Sequence, residues 1–175
     1  TLRNIHAVLD AARRYDIEFL VYLQPYLAAS SKKLADWEME LLEQAERENP
    51  GWPRYVGEAY PLFRKSLAVD AAHEDYRFAD ADSAIANETE AVFVDDYHLG
   101  DRGNRLVAEH LYDILLEAVL AANPGNEEVR ARLADVELQA GAFAEAQARY
   151  EGLLGGRLQA HAHLGIVSAL LDSGK

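Results

Sequence analysis

Val92-Phe93-Val94-Asp95-Asp96-Tyr97-His98-Leu99-Gly100-Asp101-Arg102-Gly103-Asn104 is the stretch that sets the expected fold. Ala91 to Val94 is a short apolar run with β-branched and aromatic members, which predicts a buried strand. The acidic, glycine-bearing run from Asp95 to Gly100 breaks it. Asp101 then predicts a cap for a long helix carrying Val107, Leu111, Ile114, Leu115 and Ala118 on one face. Strand, turn and helix in that order are half of an α/β unit, and open α/β sheets place ligand sites at the carboxyl ends of their strands. Within the turn, Asp95 stands three positions before His98. A carboxylate so placed can reach back to the imidazole, fix its tautomer and stabilise its charged form. The other ring nitrogen is then left to take a proton from a hydroxyl.

Upstream, Leu2, Ile5, Val8, Leu9 and Ala12 recur at helical spacing. Ile17 to Leu23 follows as a second short apolar run, stopped by Gln24-Pro25, and predicts another buried strand. Ser30-Ser31 offers a cap for a helix whose stripe is Leu34, Trp37, Leu41, Leu42 and Ala45, ended by Asn49-Pro50-Gly51-Trp52-Pro53. On that helix Glu38, Glu40, Glu43, Glu46 and Glu48 read as a wet face, and Gln24 is a candidate to line a cleft at the end of its strand. A weaker helical stretch covers Tyr60 to Val69, and a polar segment runs through Asp82-Ser83. Two strands are too few for a doubly wound sheet, since sheets usually hold about four to six. Further strands are therefore expected from outside these residues or from a partner. The opening at Thr1-Leu2-Arg3 inside a helix, and the end at Lys175 just after a turn, both read as edges of a longer protein.

The apolar strand, Asp95-x-x-His98, Leu99, Gly103-Asn104 and the amphipathic helix, in that register, resemble the closing block of the SGNH/GDSL ester hydrolases. Leu23-Gln24-Pro25 and Asp82-Ser83 resemble bacterial members of that group, so the likeness spans roughly residues 1 to 120. The resemblance implies a partial flavodoxin-like three-layer α/β fold over residues 1–122, with its N-terminal half missing. It implies ester hydrolysis or acyl transfer through a serine acyl-enzyme, on an acyl ester of unspecified identity and with no cofactor. His98 would be the general base and Asp95 the acid that orients it, with Asp96 and Tyr97 at variable positions. The family's Gly-Asp-Ser nucleophile block and its oxyanion-hole blocks are absent, and Ser30, Ser31, Ser66, Ser83, Ser168 and Ser173 all lack that context. Without them the polypeptide alone is expected to be nearly inactive. Two plainer readings stand beside this one. The segment can be only a cap and a solvated turn, with Gly103-Asn104 serving that turn. Alternatively, Asp95, Asp96, His98 and Asp101 can form a divalent-metal site.

Asn123-Pro124-Gly125-Asn126 marks a linker, after which residues 127–175 are helical and alanine-rich. There Leu133-Ala134, Gly141, Phe143, Ala146, Tyr150 and Leu153 resemble the small and large positions of a tetratricopeptide repeat, a helix-turn-helix unit of about 34 residues. A second unit begins near Ala160, with Gly165, Ile166 and Gly174 at comparable places; Gly174 follows Gly141 by 33 residues. Stacked repeats of this kind present a concave surface to protein partners. A protein-interaction scaffold with a vestigial hydrolase segment is thus the alternative to an esterase. His110 reads as structural within its helix, and His161 and His163 as tail residues without neighbouring ligands.

Composition narrows the field further. The chain has 175 residues, a formal net charge of -13 and no cysteine. The acidic balance argues against a nucleic-acid binder and against adhesion to an anionic membrane. The missing cysteines remove disulfides and thiolate chemistry. No apolar run approaches the roughly 20 residues of a membrane span.

Overall fold

A computed structural model of the protein describes residues 2–174; Thr1 and Lys175, the two ends read above as edges, lie outside the described residues. Helix α1 (Leu2–Arg14) buries Leu9 and Ala12, and the chain then enters strand β1 (Leu20–Leu23). A 3₁₀ turn at Leu27–Ala29 leads to α2 (Asp36–Glu48). Helix α3 runs over Trp52–Glu74 and carries Pro in its first turn, where the missing N–H has no intrahelical partner to lose. Strand β2 (Arg77–Asp80) and the short α4 (Asp82–Ile85) follow, then α5 (Asp101–Ala122). Helices α6 (Glu127–Gln139), α7 (Phe143–Glu151) and α8 (Gln159–Asp172) complete the order. Among the described residues no helix is long and apolar enough to cross a membrane.

The fold class differs from expectation. Helices make up 66% of the described residues, and the sheet among them is two parallel four-residue strands, paired from Leu20–Arg77 to Leu23–Asp80. This is a mainly helical architecture, not a flavodoxin-like three-layer α/β fold. The physical reason lies in the Ala91–Val94 segment. It is apolar, and Val92 and Phe93 at its middle are buried while Ala91 and Val94 are exposed, but it joins no sheet and forms only an isolated antiparallel bridge, Phe93 to Leu99. The amides of Val92 and Phe93 donate instead to the Glu38 carboxylate, at 2.8 and 3.2 Å. A side chain therefore satisfies donors that a neighbouring strand was expected to take. The true second strand, Arg77-Phe78-Ala79-Asp80, lies in the stretch read as polar, where no apolar run announces it.

The chain forms two compact units, residues 1–108 and 109–175, and the division falls inside α5. In the first, Leu27, Leu41, Ile85, Val92 and Phe93 form the core, with Leu34, Leu42, Leu99, Leu106 and Val107 packed against it. In the second, the core is built from small residues around one large ring: Ala131, Ala134, Ala146 and Ala162 with Tyr150 and Leu153. Such small side chains let helices approach closely. Gly141 ends the α6 segment at φ 80°, the left-handed conformation that closes a helix most cheaply with glycine. The Asn126 side chain caps α6 by accepting the Val129 amide at 3.1 Å.

Candidate functional site

The turn after Val94 places Asp95 and His98 against each other. Asp95 Oδ1 accepts the Tyr97 and His98 amides at 3.0 and 2.7 Å, closing the turn on its own carboxylate. The other oxygen, Oδ2, meets His98 Nδ1 at 2.7 Å. Burial pushes the Asp95 carboxyl up, but the two amides and the imidazole outweigh it and hold it below its usual value. An ionised carboxylate only accepts, so the proton between the two groups sits on Nδ1, and Nε2 is the ring nitrogen left for chemistry. The side chains are 47% and 56% exposed, so solvent screens the pair and its geometry depends on the backbone that carries it.

That backbone is tied on both sides. The Val94 amide donates to the His98 carbonyl at 2.9 Å and the Gly100 amide to the Val92 carbonyl at 2.8 Å, making a short hairpin. From the loop after β1, the Leu27 amide donates to the Asp96 carbonyl at 2.9 Å and the Gln24 side chain to the Tyr97 carbonyl. Tyr26 adds a hydroxyl bond to Asp96 Oδ2 at 2.7 Å, and its ring stacks with that of Tyr97, centroids 5.9 Å apart. The Tyr97 ring lies 4.1 Å from the imidazole. Asp95 and His98 therefore stand at the carboxyl end of β1. A cleft of about 650 Å³, lined by Arg13, Asp16, Glu18 and Arg77 among others, opens at the amino ends of the strands instead.

Other residues singled out from the sequence resolve differently. Asn104 donates to the Leu99 carbonyl at 2.9 Å and so serves the turn. The Ser30 hydroxyl donates to Asp82 at 2.6 Å, that of Ser83 to the Asp80 carbonyl, and that of Ser173 to the Leu170 carbonyl. Among the described residues no group of three or more His, Asp or Glu side chains is arranged to hold a metal ion. Glu38, read as part of a wet face, is fully buried and pairs with an equally buried Lys32 at 2.6 Å. Its helical spacing from Leu34, Leu41 and Leu42 carried the signal, which its charge obscured.

Two carboxylates gain histidine partners that the sequence does not bring together. His6 Nε2 lies 2.9 Å from Asp70, 64 positions away, and Tyr76 donates to the same carboxylate at 2.9 Å. Burial and that carboxylate push the Tyr76 hydroxyl up to about 12. In the second unit, Asp135 Oδ1 meets His161 Nε2 and the Tyr150 hydroxyl, each at 2.8 Å. His161, read as a tail residue, thus joins α8 to α6.

The second unit also carries a surface of its own. Glu128, Ala131, Arg132 and Asp135 fall at i, i+3, i+4 and i+7 on one face of α6, and with Leu158 and His161 they line a groove of about 490 Å³. Arg149 of α7 forms salt bridges with Glu137 of α6 and Glu117 of α5. The second half of α5 is therefore bound into the same array.

Among curated proteins and among solved structures, nothing matches the chain. Nor does any part of it match a family model of the SGNH/GDSL hydrolases, so that resemblance has no support beyond the residues that suggested it. Residues 115–164 match the family model of the tetratricopeptide repeat, beginning within α5, and α5 to α8 form a tetratricopeptide-like helical repeat that suggests protein partners.

Proposed function

We propose that the helical unit of residues 109–175 is a docking module for a protein partner, with the groove between α6 and α8 as its contact surface. The observation that carries this reading is the groove itself. One face of α6 and the start of α8 present Arg132, Leu158 and His161 around an apolar floor at Ala131. Arg132 is exposed. Stacked helical repeats use such inner surfaces to hold extended or helical segments of other proteins. The test is to purify the native complex and substitute Arg132→Glu and Leu158→Asp in turn. Each is expected to weaken binding of the partner found in that complex by tenfold or more, on the order of a hot-spot loss. Ala148→Glu, on α7 and outside the groove, is expected to leave it unchanged. Equal loss, or no loss, in all three would remove the groove from the interaction.

A second reading is favoured by one specific observation, the 2.7 Å contact between His98 Nδ1 and Asp95. In this reading His98 is a general base for ester hydrolysis. Its Nε2 takes the proton of an attacking hydroxyl, the oxygen adds to the ester carbonyl, and the same proton passes to the departing alcohol. Asp95 holds the imidazole and balances its transient charge. The Gly-Asp-Ser block is absent from these 175 residues, so the attacking hydroxyl comes from water or from another segment. Hydrolysis of an activated aryl ester by the native protein tests it. His98→Gln is expected to abolish the reaction and His163→Gln to leave it intact. Equal rates in the two variants would remove His98 from any such chemistry.

A further inference from the structure

We infer that Glu38 is a positioning residue for the Asp95–His98 turn, its carboxylate standing in for the missing strand beside Val92 and Phe93. One oxygen, Oε1, accepts the Val92 and Phe93 amides at 2.8 and 3.2 Å. The other accepts the Lys32 ammonium at 2.6 Å and the Ala35 amide at 2.9 Å. Lys32 in turn donates to the Lys33 carbonyl at 3.0 Å. Neither side chain reaches solvent. Glu38 thereby joins α2 and the segment before it to a backbone 54 positions downstream.

The segment that Glu38 grips is the base of the hairpin. Val92 also accepts the Gly100 amide and Val94 donates to His98, so the strand leading into Asp95 is tied to Glu38 and to the strand returning from His98. The Asp95–His98 pair itself is half exposed and cannot stiffen that base. A buried ion pair is a costly way to fill a core, and well-packed apolar residues of similar volume are often as stable or more so. What apolar residues cannot supply is an acceptor for two adjacent amides, which a single carboxylate oxygen can give. The arrangement is explained if the placement of Val92 and Phe93 matters, because three residues later that placement sets where Asp95 stands.

The catalytic relevance of Glu38 rests on the general-base reading of His98, but the positioning itself is read without activity. In Lys32→Met/Glu38→Met the volume is kept and the acceptor is lost. In Lys32→Met/Glu38→Gln one amide oxygen remains to accept the two amides. Both are expected to fold, with Tm within about 5 °C of each other. By NMR, the Met pair is expected to lose the His98 Nδ1–H resonance and the depressed titration of Asp95, and the Gln variant to keep both. A folded Met pair with both signatures intact would overturn the proposal and leave Glu38 a core-filling residue only. Should the Met pair not fold, hydrogen exchange in the unaltered protein decides. Val92, Phe93 and His98 amides are expected to open as one unit, and independent opening of His98 would overturn it. Failure of the general-base reading shows separately, as ester hydrolysis unchanged in His98→Gln while the pairing signatures stand.

Discussion

The Tyr150 ring fills the space that a Cβ on Gly165 would need, so α7 and α8 pack at a separation that requires glycine at that position. The same ring is 1% exposed, and its hydroxyl reaches Asp135 on α6. One side chain thus joins three helices of the second unit, which is why a core otherwise made largely of alanines holds together. Gly165→Ala is expected to destabilise this unit by about 1–3 kcal/mol through overpacking. Denaturant unfolding followed by circular dichroism measures it, with tryptophan fluorescence reporting the first unit alone, since Trp37 and Trp52 both lie there. Unchanged stability would show that the ring yields freely.

The Tyr150 hydroxyl adds a pH dependence of known sign. Burial first, and then Asp135, push its pKa above the ordinary tyrosine value. A group whose folded pKa is raised contributes stability that is fully present below the unfolded value of about 10 and is lost as pH rises through the folded one. The second unit is therefore expected to weaken in alkali above pH ~10. Tyr150→Phe is expected to cost about 1 kcal/mol at neutral pH and to lessen that decline. Thermal melts between neutral and alkaline pH read both; equal alkaline slopes in the two proteins would contradict the assignment.

In the first unit the sign is opposite. Burial raises the Glu38 carboxyl, but Lys32 and the Val92, Ala35 and Phe93 amides outweigh it and the net pKa is lowered. Its contribution is fully present above the unfolded value of about 4.3 and is lost as pH falls through the lower folded value. Acid unfolding reported by Trp37 and Trp52 is expected to begin below that point. Lys32→Met alone is expected to cost on the order of 3–5 kcal/mol at neutral pH, because it strands a buried charge. A loss under 1 kcal/mol would mean that water reaches Glu38.

Asn126 provides a local control. Asn126→Ala removes the acceptor of the Val129 amide and is expected to cost about 1 kcal/mol, whereas Asn126→Asp keeps it and is expected to cost little. Chemical denaturation of the two variants distinguishes them, and equal losses would show that the cap contributes nothing.

The helical tail was legible because its signals are local. Gly141, Ala146 and Tyr150 mark a turn, a close approach and a filled gap within ten positions of one another, and the repeat match covers them. The fold of the first unit is hidden from the sequence for the opposite reason. An apolar run such as Ala91–Val94 looks the same whether its amides meet a strand or a carboxylate, and the carboxylate lay 54 positions away on a helix whose glutamates read as solvated. The 2.7 Å approach of Asp95 to His98 is a property of spacing within one turn and could be anticipated, but the loop that braces it from Gln24, Tyr26 and Leu27 could not. His161 shows the same limit, since its carboxylate partner lies 26 positions upstream.

The most direct test of the docking assignment is site-specific photo-crosslinking in the native setting, with a photoreactive side chain placed at Arg132 in the groove or at Ala148 on α7. Capture of one discrete protein from Arg132, at a single mapped segment of that protein and not from Ala148, is the expected result. Equal capture from both positions, or none from Arg132 while the partner still binds, would contradict the groove as the contact surface.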